Sequence, residues 1–294
     1  MKPGYLILLI VMNCFWAGTL SVFKALGNAH LDPGAIVTLR FGIAGIIWAV
    51  VWPWLPGRAP RGWDLVKTAA MGVIVFSIGQ RVQVLGNKYS TAGNSSVLMG
   101  MEPIITSVAA AIFLREHIGP RRWIGFALGG LGVAMLNGFL LGGFQWADLA
   151  VSVIFTSSFV CEALYSIMGK PLIERGSLMK VLVISLAFGT AANLLYDGRQ
   201  TLAEARALPV GAWWQVLYLA VICTAIGHAV WFVAIRKTDV NLVAMTIFTQ
   251  PVAGVAIATL WLHEKPHLGQ LWGSLAIVAG LIVGLSRQIK RAPD

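Results

Sequence analysis

Apolar residues along this chain gather into runs of 16–24, separated by short polar segments. An α-helix rises about 1.5 Å per residue, so about 20 apolar residues cross the hydrocarbon of a bilayer. The pattern predicts ten spans: Tyr5–Leu26, Ala35–Leu55, Leu65–Leu85, Thr91–Leu114, Trp123–Leu141, Ala147–Met168, Val181–Tyr196, Ala212–Ile235, Leu242–Leu262 and Gly269–Leu285. The expected class is an all-α integral membrane protein. The first run is too long for the apolar region of a signal peptide and is counted as a span.

Within these runs, polar and aromatic residues recur at helical spacing, placing them on one face of each helix. The stripes are Asn13, Trp16 and Leu20; Gly72, Phe76, Gly79 and Gln83; Ser95, Met99, Glu102 and Thr106; Ser158, Glu162 and Tyr165; Ala220, Thr224, Gly227 and Trp231, with His228 alongside; and Ile247, Gln250 and Gly254. Glu102 is the twelfth residue of its run and is followed by Pro103. A charge at that depth costs about 2.5–3.5 kcal/mol on insertion scales and rarely faces lipid. Pro103 removes a backbone donor beside it and invites a kink. Small and polar residues also serve as packing contacts between membrane helices. Taken as a set, the stripes predict a shared central cavity. Its expected lining is Asn13, Trp16, Phe76, Gly79, Gln83, Ser95, Met99, Glu102, Glu162, Tyr165, Thr224, His228, Trp231 and Gln250. His228 is either a proton carrier or a neutral hydrogen-bonding ring. Arg40 and Arg81 fall toward outer helix ends, where long cationic side chains snorkel, so anchoring is their expected role; attraction of anionic substrate groups is the alternative.

A shift of 148 residues lays the chain on itself. Glu102-Pro103 falls on Gln250-Pro251, Gly79 on Gly227, Glu116 on Glu264, Gly125 on Gly273 and Gly132 on Gly280. Apolar matches are cheap in such a chain, but Pro, Glu and Gly matches are not. The register indicates a duplication, with residues 1–142 as one five-helix repeat and 143–294 as the second. Five is odd, so the second repeat is expected to enter the membrane inverted, around a midplane cavity.

Charge adds an orientation. Charged residues make up 12% of the 294, against about 25% in soluble domains, and the net charge is +10. With a cytoplasmic N-terminus, fifteen Lys and Arg fall on the inner side and five on the outer. That bias places both termini inside, as expected for an inner (plasma) membrane protein, and explains the positive charge without nucleic acid. Cys14, Cys161 and Cys223 lie in apolar runs and suggest neither a disulfide framework nor a zinc site. His263-Glu264-Lys265-Pro266-His267 matches the H-E-x-x-H zinc pattern, but Pro266 breaks the helix that chemistry needs. No metal, cofactor or catalytic residue is expected. Gly125-xxx-Gly129 and Gly280-xxx-Gly284 permit close helix approach and are assigned to packing within a monomer, a dimer through the same faces remaining the alternative.

Trp16 with Phe23, Leu39-Arg40-Phe41, Pro103 and Pro251, and the helix-end patterns Glu116…Trp123-Ile124-Gly125 and Glu264…Leu271-Trp272-Gly273 together resemble the drug/metabolite transporter superfamily, EamA type. The resemblance covers nearly the whole chain; Ala17 stands where the family often has glycine. It implies a ten-helix exporter with a central cavity, and the aromatic residues are similar to those of amino-acid exporters of the YddG type. The expected activity is export of small amphipathic metabolites, amino acids first, by alternating access. The partners expected are that small-molecule substrate and membrane lipid. A multidrug exporter of cationic or aromatic compounds is the alternative within the class. A membrane-embedded enzyme and a passive channel are the alternatives outside it.

Overall fold

The computed structural model describes residues 3–136, 146–265 and 268–289, and every regular element among them is helical. The helices are α1 (Pro3–Asn28), α2 (Pro33–Trp54), α3 (Trp63–Lys88), α4 (Ala92–Phe113), α5 (Pro120–Leu136), α6 (Trp146–Arg175), α7 (Leu178–Ala207), α8 (Val210–Lys237), α9 (Val240–Trp261) and α10 (Leu268–Ile289). Eight of them are long and apolar enough to cross a membrane: α1–α4 and α6–α9. Part of the fifth sequence run, residues 137–141, lies outside the described residues. α7 runs to Ala207, well past the expected end at Tyr196. The extra turns carry Asp197, Arg199, Glu204 and Arg206, which a hydropathy window rejects.

The apolar and polar faces are arranged as a lipid solvent demands. Leu195, Val210, Ile112, Phe113 and Leu260 point outward and exposed, whereas Asn13, Arg40, Ser95, Asn193, Thr224 and Asn241 are buried. Such exposed apolar surface is a liability in water and an ordinary state against hydrocarbon. The chain is a multi-pass membrane protein.

The 148-residue register reappears in three dimensions. α4 and α9, twins under the shift, are each broken by a 3₁₀ turn, Met99–Met101 and Met245–Phe248, just ahead of Pro103 and Pro251. A proline can neither donate to the preceding turn nor fit beneath its carbonyl, so the helix tightens before it. α3 and α8, also twins, each contain a π-helical stretch, Ile74–Gly79 and Tyr218–Ile226. Arg115 and His263, 148 apart, both adopt positive φ, at 55° each, where α4 and α9 end. Packing follows the same rule: α1 lies against α9 as α6 lies against α4, and α3 touches α6 and α7 as α8 touches α1 and α2.

Two contacts that join the halves follow the duplication. α5 and α10 pack along their length with glycines facing glycines. A Cβ on Gly125 would meet the Gly280 carbonyl at 2.7 Å, and one on Gly132 would meet the Gly273 carbonyl at 2.5 Å. Numbering rises along one helix as it falls along the other, so the pair is antiparallel. The glycine motifs therefore serve contacts within the chain. The second contact is an exchange of glutamates. Glu116 accepts from the backbone N–H groups of Val240 and Asn241, at 2.9 and 3.0 Å, at the start of α9. Glu264 accepts from Ala92 and Gly93, at 2.9 and 2.8 Å, at the start of α4. All six positions are twins, so each half caps the other's proline-broken helix and places a carboxylate at its positive end. Glu116 also pairs with Lys170 at 2.8 Å. Burial works against its charged form, but the N–H groups and Lys170 outweigh it and hold the carboxyl below its ordinary range.

Candidate functional site

The polar stripes of α1, α3, α4, α6, α8 and α9 converge on one cavity of about 70 Å³, measured as room for the centres of water molecules. A single water needs roughly 10–15 Å³ on that measure, so the space holds several waters or one small solute. Nine of the fourteen expected residues line it: Trp16, Gln83, Met99, Glu102, Glu162, Tyr165, His228, Trp231 and Gln250.

The other five stand outside the lining. Asn13 donates to the Leu9 carbonyl at 2.8 Å and to Thr246 Oγ1 at 3.0 Å, and accepts from Gln250 Nε2 at 2.7 Å. It therefore orients Gln250 instead of facing the cavity. The Phe76 ring packs edge-on against Tyr165 and His228, with centroids 5.4 and 5.0 Å away. Gly79 lets Cys161 of α6 approach α3. Ser95 is fully buried between helices. Thr224 accepts from Arg40 Nε at 2.7 Å and donates to the Leu219 carbonyl at 2.8 Å.

One wall of the cavity is aromatic. Trp16 and Trp231 lie with centroids 6.0 Å apart, and His228 sits edge-on to Trp16, also at 6.0 Å. Gly227 makes this possible, since a Cβ there would meet the Trp16 ring at 2.9 Å. The indole N–H groups are both satisfied by protein. Trp16 Nε1 donates to the Cys223 carbonyl at 2.7 Å, inside the π-helical stretch of α8, and Trp231 Nε1 donates to Ser166 Oγ at 2.9 Å. A π turn leaves a carbonyl out of the regular ladder, and Trp16 uses it. His228 Nδ1 bonds the Thr224 carbonyl at 3.1 Å and so carries a proton on that nitrogen. Tyr165 stacks flat on Phe232, centroids 4.3 Å apart.

The cavity also holds charge, which corrects the expectation for Arg40. Its guanidinium does not snorkel outward; the residue is 3% exposed and lines the cavity. Nε reaches Thr224, Nη1 donates to Gln80 Oε1 at 2.8 Å, and Gln80 Nε2 in turn donates to Glu162. The same guanidinium lies over the Phe41 and Phe23 rings, 5.0 and 5.8 Å from their centroids. Arg81 is likewise no lipid anchor: it pairs with Asp197 and bonds Asn193 Oδ1 at 3.0 Å, tying α3 to the long end of α7. Thr19, Arg40, Gln80 and Ser166 line the cavity without having been expected there. Gln80 was hidden by the π-helical stretch before it. A π turn takes one residue more than an α turn, so it rotates the next helical turn by about 100° relative to a regular stripe.

Glu264 of the H-E-x-x-H match is occupied as the cap of α4. His267 lies outside the described residues.

The sequence pattern of the EamA-like transporter family matches residues 3–138 and again 149–285. The chain belongs to the EamA-like transporter family. It is thus a transporter of the drug/metabolite transporter superfamily, and this family does not point to an enzyme. The transporter is similar to a probable terminal-alkyne amino-acid exporter of Streptantibioticus cattleyicolor, 26% identical over 96% of this chain and 94% of the relative. It is similar to a probable amino-acid metabolite efflux pump of Escherichia coli, 25% identical over 97% of this chain and 95% of the relative. An uncharacterized transporter of Archaeoglobus fulgidus is 25% identical over 94% of this chain and 97% of that protein. A solved structure superposes with a TM-score of 0.67 at 16% identity, over 99% of this chain and all of the other, a likeness of fold.

Proposed function

We propose that this transporter exports small amphipathic metabolites, amino acids with aromatic side chains foremost, across the inner membrane. The observation that carries the reading is the mixed lining of one cavity, in which the aromatic rings of Trp16, Tyr165 and Trp231 stand together with Gln83, Glu102, Glu162 and Gln250. Aromatic faces bury an apolar side chain, and acceptors in the same cavity bond an ammonium group. The names carried by the Streptantibioticus and Escherichia relatives support the same substrate class. Transport is by alternating access of two inverted five-helix halves, residues 1–142 and 143–294, ten spans in all. The antiparallel run of α5 against its twin α10 supports the inversion, since twin helices related this way point in opposite directions. The working unit is a monomer in lipid, without nucleic acid, metal or cofactor.

Two carboxylates beside stacked rings also favour a second reading, efflux of cationic aromatic drugs. Vesicles containing the purified protein, offered labelled amino acids and cationic drugs with and without a proton gradient, separate the two. Accumulation of drugs and of no amino acid would overturn the first reading. The charge bias further predicts both termini and the loops 56–64 and 115–122 on the cytoplasmic side. A single cysteine at Arg61 is expected to resist an impermeant reagent in intact cells; labelling from outside would reverse the orientation.

A further inference from the structure

Among the described residues, Arg40 is held without a direct ion pair. A buried cation is costly unless a counter-charge and hydrogen bonds surround it. No carboxylate lies within ion-pair distance of Arg40; the pairs present involve Arg81, Lys88, Lys170 and Arg175. Its protein partners are a hydroxyl and an amide, both neutral, and two ring faces. Glu162 stands one amide away, behind Gln80. Nε and Nη1 are committed to Thr224 and Gln80, while Nη2 makes no bond to the protein in a residue that lines the cavity.

We propose that Arg40 is the cavity's carboxylate-recognition residue, so that the transported molecule carries one carboxylate on an apolar or aromatic body. This rests on the exporter reading above and names the anionic end that the reading left open. The bonds to Thr224 and Gln80 fix the plane of the guanidinium from α8 and α3, so it meets a ligand already oriented. The two aromatic faces stabilise the charge without consuming donors. Glu162, through Gln80, lowers the cost of keeping the cation in an empty cavity yet does not fill its free edge. Among the described lining residues Arg40 is the one Lys or Arg, and Glu102 and Glu162 bring acceptor oxygens to the same space, which favours a monoanion accompanied by an ammonium group over a dianion such as a phosphate ester. A zwitterion matches this lining with its carboxylate at Arg40 and its amine toward the oxygens of Glu102 and Gln250.

The test uses four probes built on one side chain: phenylalanine, phenylalaninamide, phenethylamine and 3-phenylpropionate. Each competes against exchange of labelled phenylalanine in vesicles containing the full-length protein, and each is titrated directly by tryptophan fluorescence of the purified protein. Phenylalanine is expected to act at concentrations at least about tenfold below the amide and the amine, the worth of one charge-assisted hydrogen bond. In Arg40→Gln that preference is expected to shrink to about twofold, and Arg40→Lys is expected to keep part of it because the charge remains. A role confined to holding α2 against α3 and α8 would weaken all four probes alike and leave their ratio unchanged, overturning the proposal. If Arg40→Gln does not assemble, the wild-type series decides: equal action of amide, amine and acid overturns it. Failure of both carboxylated probes to bind overturns it as well. Transport of amino acids without carboxylate preference removes the Arg40 assignment and leaves the exporter reading. Binding of carboxylated probes with no amino-acid transport does the reverse.

Discussion

Transport by a Trp231→Ala variant is expected to fall by about tenfold or more, and Trp231→Phe to keep a substantial part of it. Trp231 is nearly buried, lines the cavity and packs against Trp16, while its indole N–H is spent on Ser166. What it offers a substrate is therefore ring surface, which Phe preserves in part. Buried aromatic anchors of this kind dominate binding energetics, and their truncation costs about 2 kcal/mol or more. Glu102, on the same cavity, sets a contrast. Its twin is Gln250, so an amide is compatible with this place in the repeat. Glu102→Gln is expected to retain at least about half of transport, and Glu102→Leu to lose most, because leucine removes the polar partner from a desolvated site. Vesicle uptake with matched protein levels checks all four variants. Loss of proton-driven uptake in Glu102→Gln with substrate exchange intact would make Glu102 the proton carrier.

Glu116→Ala is expected to lower the stability of the protein in detergent by about 3 kcal/mol. Removing one member of a buried pair strands the other, and such losses run at about 3–5 kcal/mol. Here the carboxylate is 7% exposed, and its loss strands Lys170 along with the N–H groups of Val240 and Asn241. Thermal unfolding followed by tryptophan fluorescence is expected to show a midpoint lower by roughly 5–10 °C. pH acts on the same contact. The folded carboxyl titrates below its ordinary value, so its contribution is complete above the unfolded pKa of about 4.3 and is lost as pH falls through the lower folded value. The gap between wild type and Glu116→Ala is expected to narrow with acidification below about pH 4. A gap that stays constant would mean that the charge is not what stabilises.

Hydrophobic periodicity made the helices legible because lipid admits little else: apolar runs of bilayer length have one common solution. The duplication was legible because glutamate, proline and glycine cannot be exchanged freely where they cap, break or closely approach a helix. Trp16, Glu102, Glu162, Tyr165, Trp231 and Gln250 were legible because a regular helix puts them in phase. Arg40 and Gln80 were not. Hydropathy treats any arginine near a helix end as bound for water, and only the buried partners Thr224 and Gln80 reveal the inward rotamer. The π-helical stretches change the phase of α3 and α8 part-way, and no residue type in them announces it. Asn13 and Thr224 carried the right polarity on the right face, yet they bond to neighbours instead of to the cavity. One sequence cannot distinguish a residue that touches a substrate from one that orients its neighbour.

The exchanged glutamates also impose an order on biosynthesis. Domains of a nascent chain ordinarily fold as they emerge, N-terminal unit first. In this protein that rule stops short. When residue 142 leaves the ribosome, Ala92 and Gly93 have no carboxylate to receive their N–H groups, because Glu264 has not been translated. Glu116 is already made, but α9, whose start it caps, is still about a hundred residues away. The first half emerges with the start of α4 open and Glu116 unused, and both find their partners only near the end of translation. A chain truncated before Glu264 would keep the start of α4 open permanently, giving membrane quality control a chemical mark of incompleteness.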